Sequence, residues 1–127
     1  MIKVTINEIL NSIAVFREIS NKSLPVKIAY QVARIIRELD KENTTFDETR
    51  KRIIETYCER DENGNMKITD EGNVILKNDT VEQCNKELEE LLNTSLEINA
   101  ELIQLDELEG INLTPNQILS ISPFIQE

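Results

Sequence analysis

Histidine and tryptophan are both absent from this 127-residue chain. Without histidine, the commonest general base and the commonest zinc ligand are gone. Nucleophilic catalysis by serine or cysteine would then need lysine or a carboxylate as its base, and no spacing supplies one. Cysteine occurs only as Cys58 and Cys84. They form no Cys-x-x-Cys pair, and two thiols do not close a tetrahedral zinc site. Both fall at helical positions and read as small core residues rather than a disulfide. Three widely spaced glycines exclude a phosphate-cradling loop. No apolar run approaches the 18 residues a membrane span needs. The first residues, Met1-Ile2-Lys3-Val4-Thr5, lack a charged segment followed by an apolar run, so no signal peptide is expected and the location read from the sequence is a cytoplasm. The expectation is a non-enzymatic protein with no catalytic, cofactor-binding or metal-binding residues.

What is present is aliphatic and acidic. Apolar residues make up 39% of the chain and aromatics 4%, so branched aliphatics must fill the core. A length of 127 residues fits one domain, residues 1–127, able to bury roughly two-thirds of the unfolded surface. The net charge of −10 is unevenly spread. Residues 1–58 carry 10 basic and 8 acidic side chains, a net of +2, and residues 59–127 carry 4 and 16, a net of −12. The second half would repel a phosphate backbone, which argues against nucleic acid as a partner. An acidic surface of this kind ordinarily aids solubility; the sharper reading is a face that docks on a basic partner.

Residues 1–5 alternate, with Ile2 and Val4 on one side, and read as a strand. Thr5-x-x-Glu8 is a capping box that starts a helix whose apolar face is Ile6, Ile9, Leu10, Ile13 and Phe16, fading by Asn21. Leu24-Pro25 opens a second helix, with Ile28, Val32, Ile35, Ile36 and Leu39 as its stripe. The period continues through Phe46, Ile53, Ile54 and Tyr57. A second capping box, Thr45-x-x-Glu48, favours two coaxial or gently kinked pieces; the lack of glycine and proline favours one helix. Asn63-Gly64 marks a turn, and residues 66–68 and 74–76 read as a small hairpin. Thr80-x-x-Gln83 starts a helix with Val81, Cys84, Leu88, Leu91 and Leu92 inward and Glu82, Glu87, Glu89 and Glu90 mostly elsewhere. Leu96, Ile98, Ala100 and Leu102 alternate as a half-buried strand suited to pair with residues 1–5. Residues 106–110 read as a loop. Thr114-Pro115-x-Gln117 starts a short helix that Ser122-Pro123 stops, leaving an apolar tail, Phe124 and Ile125, that either folds back or docks on a partner. The fold class is α+β, mainly α: an antiparallel helical hairpin with a long second helix, a small β-hairpin, and a short pairing of N- and C-terminal strands.

Two features bear on binding. Glu59, Asp61, Asn63, Gly64 and Asp70 fall at positions 1, 3, 5, 6 and 12 of a calcium loop, but the first should be Asp and the last a bidentate Glu, and a strand follows in place of the exit helix. An ordinary turn is the better reading. Arg34, Arg37 and Lys41, then Arg50, Lys51 and Arg52, give the second helix a basic edge. Salt bridges to the acidic half are the plainer reading of it, a contact to an acidic protein or nucleic acid the sharper one, and no interleaved aromatics offer base stacking.

Several stretches, taken in order, carry a resemblance: Leu24-Pro25-Val26-Lys27-Ile28-Ala29-Tyr30, Tyr57 leading into Asp61-Glu62-Asn63-Gly64-Asn65, Asn85-Lys86-Glu87-Leu88-Glu89-Glu90-Leu91-Leu92-Asn93, Leu108-Glu109-Gly110, Leu113-Thr114-Pro115, and Pro123-Phe124-Ile125. Together they resemble a family of small proteins of tailed phages and prophages of Gram-positive bacteria. The resemblance spans most of the chain and rests on the order of the pieces. It implies a phage-encoded accessory protein, often encoded near structural genes, acting in the bacterial host cell and able to stay with the virion. It brings no activity and no site residues. The function expected is a protein-interaction module accessory to particle, and specifically tail, assembly. The alternative is an inhibitor of a host anti-phage defence system acting through the acidic half. The expected partner is another protein, self-association included, and the candidate contacts are Glu82, Glu87, Glu89, Glu90, Phe124 and Ile125.

Overall fold

A computed structural model describes residues 1–126. Strand β1 (Ile2–Thr5) buries Ile2 and Val4 and turns directly into helix α1 (Ile6–Ser20). Thr5 makes the junction. Its hydroxyl accepts the Glu8 N–H at 3.2 Å while the Glu8 carboxylate accepts the Thr5 N–H at 2.9 Å, so two amides that a helix start leaves without partners are satisfied. β1 pairs antiparallel with β2 (Ser95–Ile98), Ile2 opposite Ile98 and Val4 opposite Leu96. The pairing expected from the alternation is present but shorter. The chain turns after Ile98, with the Ala100 N–H donating to the Ile98 carbonyl, and Leu102 lies outside the strand.

Helix α2 runs unbroken over Val26–Tyr57. The break favoured from the Thr45 capping box does not occur. Phe46 follows Leu39 by seven residues, and Ile53 follows Phe46 by seven, so an uninterrupted helix keeps one apolar face in register. Stopping it would forfeit several backbone hydrogen bonds and require a second nucleation. The threonines are absorbed: the Thr44 and Thr49 hydroxyls donate to the carbonyls of Asp40 and Thr45, four residues back.

The chain forms two compact units. The first comprises Met1–Thr44 and the residues from Asn93 onward. Its core takes Ile9, Phe16 and Ile19 from α1, Ile28, Val32, Ile35 and Leu39 from α2, and Ile98, Ile103, Ile121 and Phe124 from the C-terminal part. Ser12 is buried among them with its hydroxyl donated to the Ile9 carbonyl, so its burial carries little penalty. After β2 come strand β3 (Ile103–Gln104) and a 3-10 turn, Leu105–Leu108, which buries Leu108 where a plain loop was expected. Helix α3 (Val81–Leu92), part of the second unit, precedes β2 in the chain; the later helix α4 (Pro115–Ile121) starts at a second capping box, Thr114 with Gln117. It packs on α1, where the Gln117 amide donates to Glu18 at 2.6 Å. Strand β4 (Ile125–Gln126) then lies parallel to β3.

The second unit is Thr45–Leu92. It holds the end of α2, an extended segment, and helix α3 (Val81–Leu92). The expected hairpin is one side of a triangle. Single antiparallel bridges join Arg60 to Met66, Ile68 to Val74, and Cys58 to Leu76. At its centre the Lys67 N–H donates to the Glu59 carbonyl, the Ile75 N–H to Lys67, and the Glu59 N–H to Ile75, each at 2.8–2.9 Å. The three residues are eight apart, and so are the turns: Gly64 donates to Asp61, Gly72 to Thr69, and Thr80 to Lys77. Gly64 and Gly72 both hold positive φ, which the two matching turns require.

Two substitutions separate the helical readings. Thr45→Ala should leave stability unchanged or raise it by about 0.5 kcal/mol, as for an exposed helix interior, whereas Thr5→Ala should cost about 1 kcal/mol as a lost cap. Urea unfolding of both variants checks this; a loss at Thr45 matching that at Thr5 would contradict the unbroken helix.

Candidate interaction surfaces

On α3 the apolar face is Cys84, Leu88 and Leu91, with Cys84 fully buried. Glu82 and Glu89, seven residues apart, lie on the opposite face with Lys86 between them, and Glu90 is beside them; all are exposed. Glu87 differs. It is half-buried and lies beside the hydroxyl of Tyr57 of α2, with the Gln83 amide a further neighbour. Burial, then the Glu87 carboxylate, push the Tyr57 hydroxyl above its ordinary value. Burial and the same carboxylate push the Cys84 thiol up, which keeps it protonated and a poor nucleophile. Glu87 is thus a packing residue of the second unit, and the outward acidic surface of α3 reduces to Glu82, Glu89 and Glu90. The capping box expected at Thr80 is not formed in that way either: its hydroxyl donates to the carbonyls of Lys77 and Tyr57, while Gln83 turns to Tyr57.

The apolar tail folds back. Phe124 is fully buried, its ring edge-on to Phe16 at a centroid distance of 5.2 Å, and Ile125 is half-buried against the same core opposite Ile103. Phe124 is therefore corrected from a candidate partner contact to a core residue. A benzyl side chain gains more from a packed aromatic neighbour than from water. Ile125 retains only partial access.

The basic edge expected on α2 has an apolar part that the sequence reading did not include, the pair Val26 and Tyr30. The helix buries Ile28, Val32, Ile35 and Leu39. The opposite face carries Val26, Tyr30, Ala33, Arg34, Arg37 and Lys41, spaced four, three, one, three and four apart. Val26 is 86% exposed and Tyr30 67%, one turn from each other. The salt bridges expected between this basic edge and the acidic half are not what holds it. Arg34 donates to the Asn99 carbonyl at 3.3 Å, Lys41 pairs with Glu38 on its own helix, and Arg37 has no ion pair or hydrogen bond among the described residues. The signal was available in the sequence as an aromatic out of phase with the apolar stripe.

The second unit also carries an open groove of about 390 Å³, lined by half-buried Ile54, Val74, Leu76 and Leu88 together with Arg50 and Asn85. The turn that resembles a calcium loop is closed on itself, the Asp61 carboxylate accepting the N–H groups of Asn63 and Asn65 at 2.9 and 3.0 Å. Asp70 belongs to the next turn of the triangle. Among the described residues, no group of three or more Cys, Asp or Glu side chains is placed to hold a metal ion, and no helix is long and apolar enough to cross a membrane. No protein-family model, curated protein or solved structure matches the chain.

The Tyr57 contact fixes a pH dependence. A raised folded-state value means the neutral hydroxyl is favoured in the native state. Its contribution is complete below the ordinary tyrosine value, about 10, and is lost as pH rises through the raised value. Cys84 acts in the same direction, from about 9 upward. Urea midpoints should fall on the alkaline side, and Tyr57→Phe should flatten that fall. An alkaline slope unchanged in Tyr57→Phe would show that the Glu87 contact does not carry it.

Proposed function

We propose that the protein is a non-enzymatic protein-interaction module of a tailed phage or prophage, accessory to particle assembly and most specifically to the tail, working in the cytoplasm of the bacterial host. The observation that supports it is the exposure of Val26 and Tyr30 one turn apart on α2, flanked by Arg34 and Arg37. Tyrosine and arginine are the side chains enriched where protein partners dock, and a largely exposed tyrosine on a rigid helix loses little freedom on binding. The family resemblance carried by Leu24 to Tyr30 includes this turn of α2 and supplies the phage context.

A second reading has its own observation. Glu82, Glu89 and Glu90 stand outward on α3, as an inhibitor of a host defence protein with a basic surface would require. The two differ in salt response. Docking through Val26 and Tyr30 is sustained by apolar burial and changes little with salt, whereas docking through the glutamates weakens steeply as salt rises.

Capture of the tagged protein from infected cells, with mass spectrometry of what is retained, tests both. Phage structural proteins should be retained, and Tyr30→Ala should reduce their recovery tenfold or more, a loss of about 1.4 kcal/mol. Retention of a host nuclease or defence protein, lost when Glu82, Glu89 and Glu90 are reversed to lysine but kept in Tyr30→Ala, would replace the assembly reading with the inhibitory one.

A further inference from the structure

We propose that the outward face of α2 in one copy of the chain docks on the outward face of α3 in a second copy. The inference rests on reading the α2 stripe as an interaction face, and it names the partner surface by its chemistry. Between residues 26 and 41 that stripe holds Lys27, Arg34, Arg37 and Lys41 around Tyr30; Lys27 pairs with Glu107 at 3.9 Å and Lys41 with Glu38 at 3.3 Å, and Glu101 lies beside Tyr30 and Arg34, so Arg34 and Arg37 are the cations without an ion pair among the described residues. In a chain of net charge −10, such a face is the exception. The chain itself presents the complement. α3 exposes Glu82, Glu89 and Glu90 with Lys86 the one cation among them, and Val81, 40% exposed, stands in the same first turn as Glu82.

Net charge opposes the approach of two like-charged copies, and distance decides which effect prevails. At physiological ionic strength the Debye length is about 8 Å, so repulsion between the bodies of two copies is largely screened, while opposed side chains in contact are screened less. Arg34 and Arg37 meeting Glu82 and Glu89 therefore set orientation, and burial of Tyr30 and Val26 supplies the gain. Exposed ion pairs contribute little individually, so the contact is weak. Because the two faces are different, each copy carries both halves of the contact, and copies join either reciprocally as a pair or head to tail into a ring or an open chain.

Sedimentation of the purified chain over micromolar to millimolar concentration at physiological salt tests the contact. The mass should rise with concentration. Two double variants, Arg34→Glu with Arg37→Glu and Glu82→Lys with Glu89→Lys, should each stay monomeric, and Tyr30→Ala should weaken association tenfold or more. Mixing the two double variants should restore association, because the unaltered basic face of one meets the unaltered acidic face of the other; that rescue also shows both are folded. A chain monomeric at every concentration, association that survives both reversals, or a mixture that stays monomeric would each overturn the proposal. A monomeric chain that still retains a partner in the capture experiment would leave the interaction reading standing while removing this one.

Discussion

The buried face of α2 is the constraint on which the first unit depends. Ile28, Val32, Ile35 and Leu39 are spaced four, three and four apart and are all essentially inaccessible to solvent. The stripe shares one buried cluster with the rest of that unit's core: Phe16 and Ile19 from α1, Ile98 from β2, Ile103 from β3, Phe124 from the tail. With so few aromatics, the core is an aliphatic layer in which, among the described residues, Phe16 and Phe124 form the one aromatic ring contact. That explains why the tail is held inside. Releasing Phe124 would leave a void against Phe16, and a cavity of ring size costs about 3–5 kcal/mol.

The same phase carries α2 past Thr45, where local chemistry offers a stop. A cap contributes about 1 kcal/mol, and an uninterrupted helix keeps a hydrogen bond per residue and an apolar face in register. The second unit then builds on a different device. Its fully buried apolar residues are few, Cys58 and Cys84 foremost, while Ile53, Ile54, Leu88 and Leu91 are only partly covered. The triangle of Glu59, Lys67 and Ile75 ties that unit by backbone bonds rather than by burial.

The charge pattern takes its meaning from which face each residue occupies. The acidic second half of the chain does not neutralise the basic edge of α2 through the pairs expected, and Arg37 stands without a partner among the described residues. Glu87 looked like one of four equivalent surface glutamates. Its contact with Tyr57 removes it from that set and ties α3 to the end of α2 within the second unit. Tyr30 and Tyr57 illustrate the opposite fates open to one residue type on one helix. The first lies out of phase with the buried stripe and is exposed; the second lies in phase and is packed against a carboxylate and an amide.

The sequence by itself determined where the helices lie, the pairing of β1 with β2, and the helix starts at Thr5 and Thr114, because periodicity and capping act over three or four residues and leave their mark in local order. It left open which of four similar capping boxes would be used. Thr5 and Thr114 cap because their chains arrive extended, from a strand and from a loop ahead of Pro115; Thr45 does not, because the apolar phase continues through it. The eight-residue period of residues 58–77 was visible in the paired glycines and asparagines, yet a period does not say that its third member closes back on the first. Only the tertiary structure decided that closure, the burial of Phe124 and the contact of Glu87 with Tyr57. Each depends on a partner far along the chain, and which distant partner a side chain meets is set by packing rather than by its neighbours in sequence.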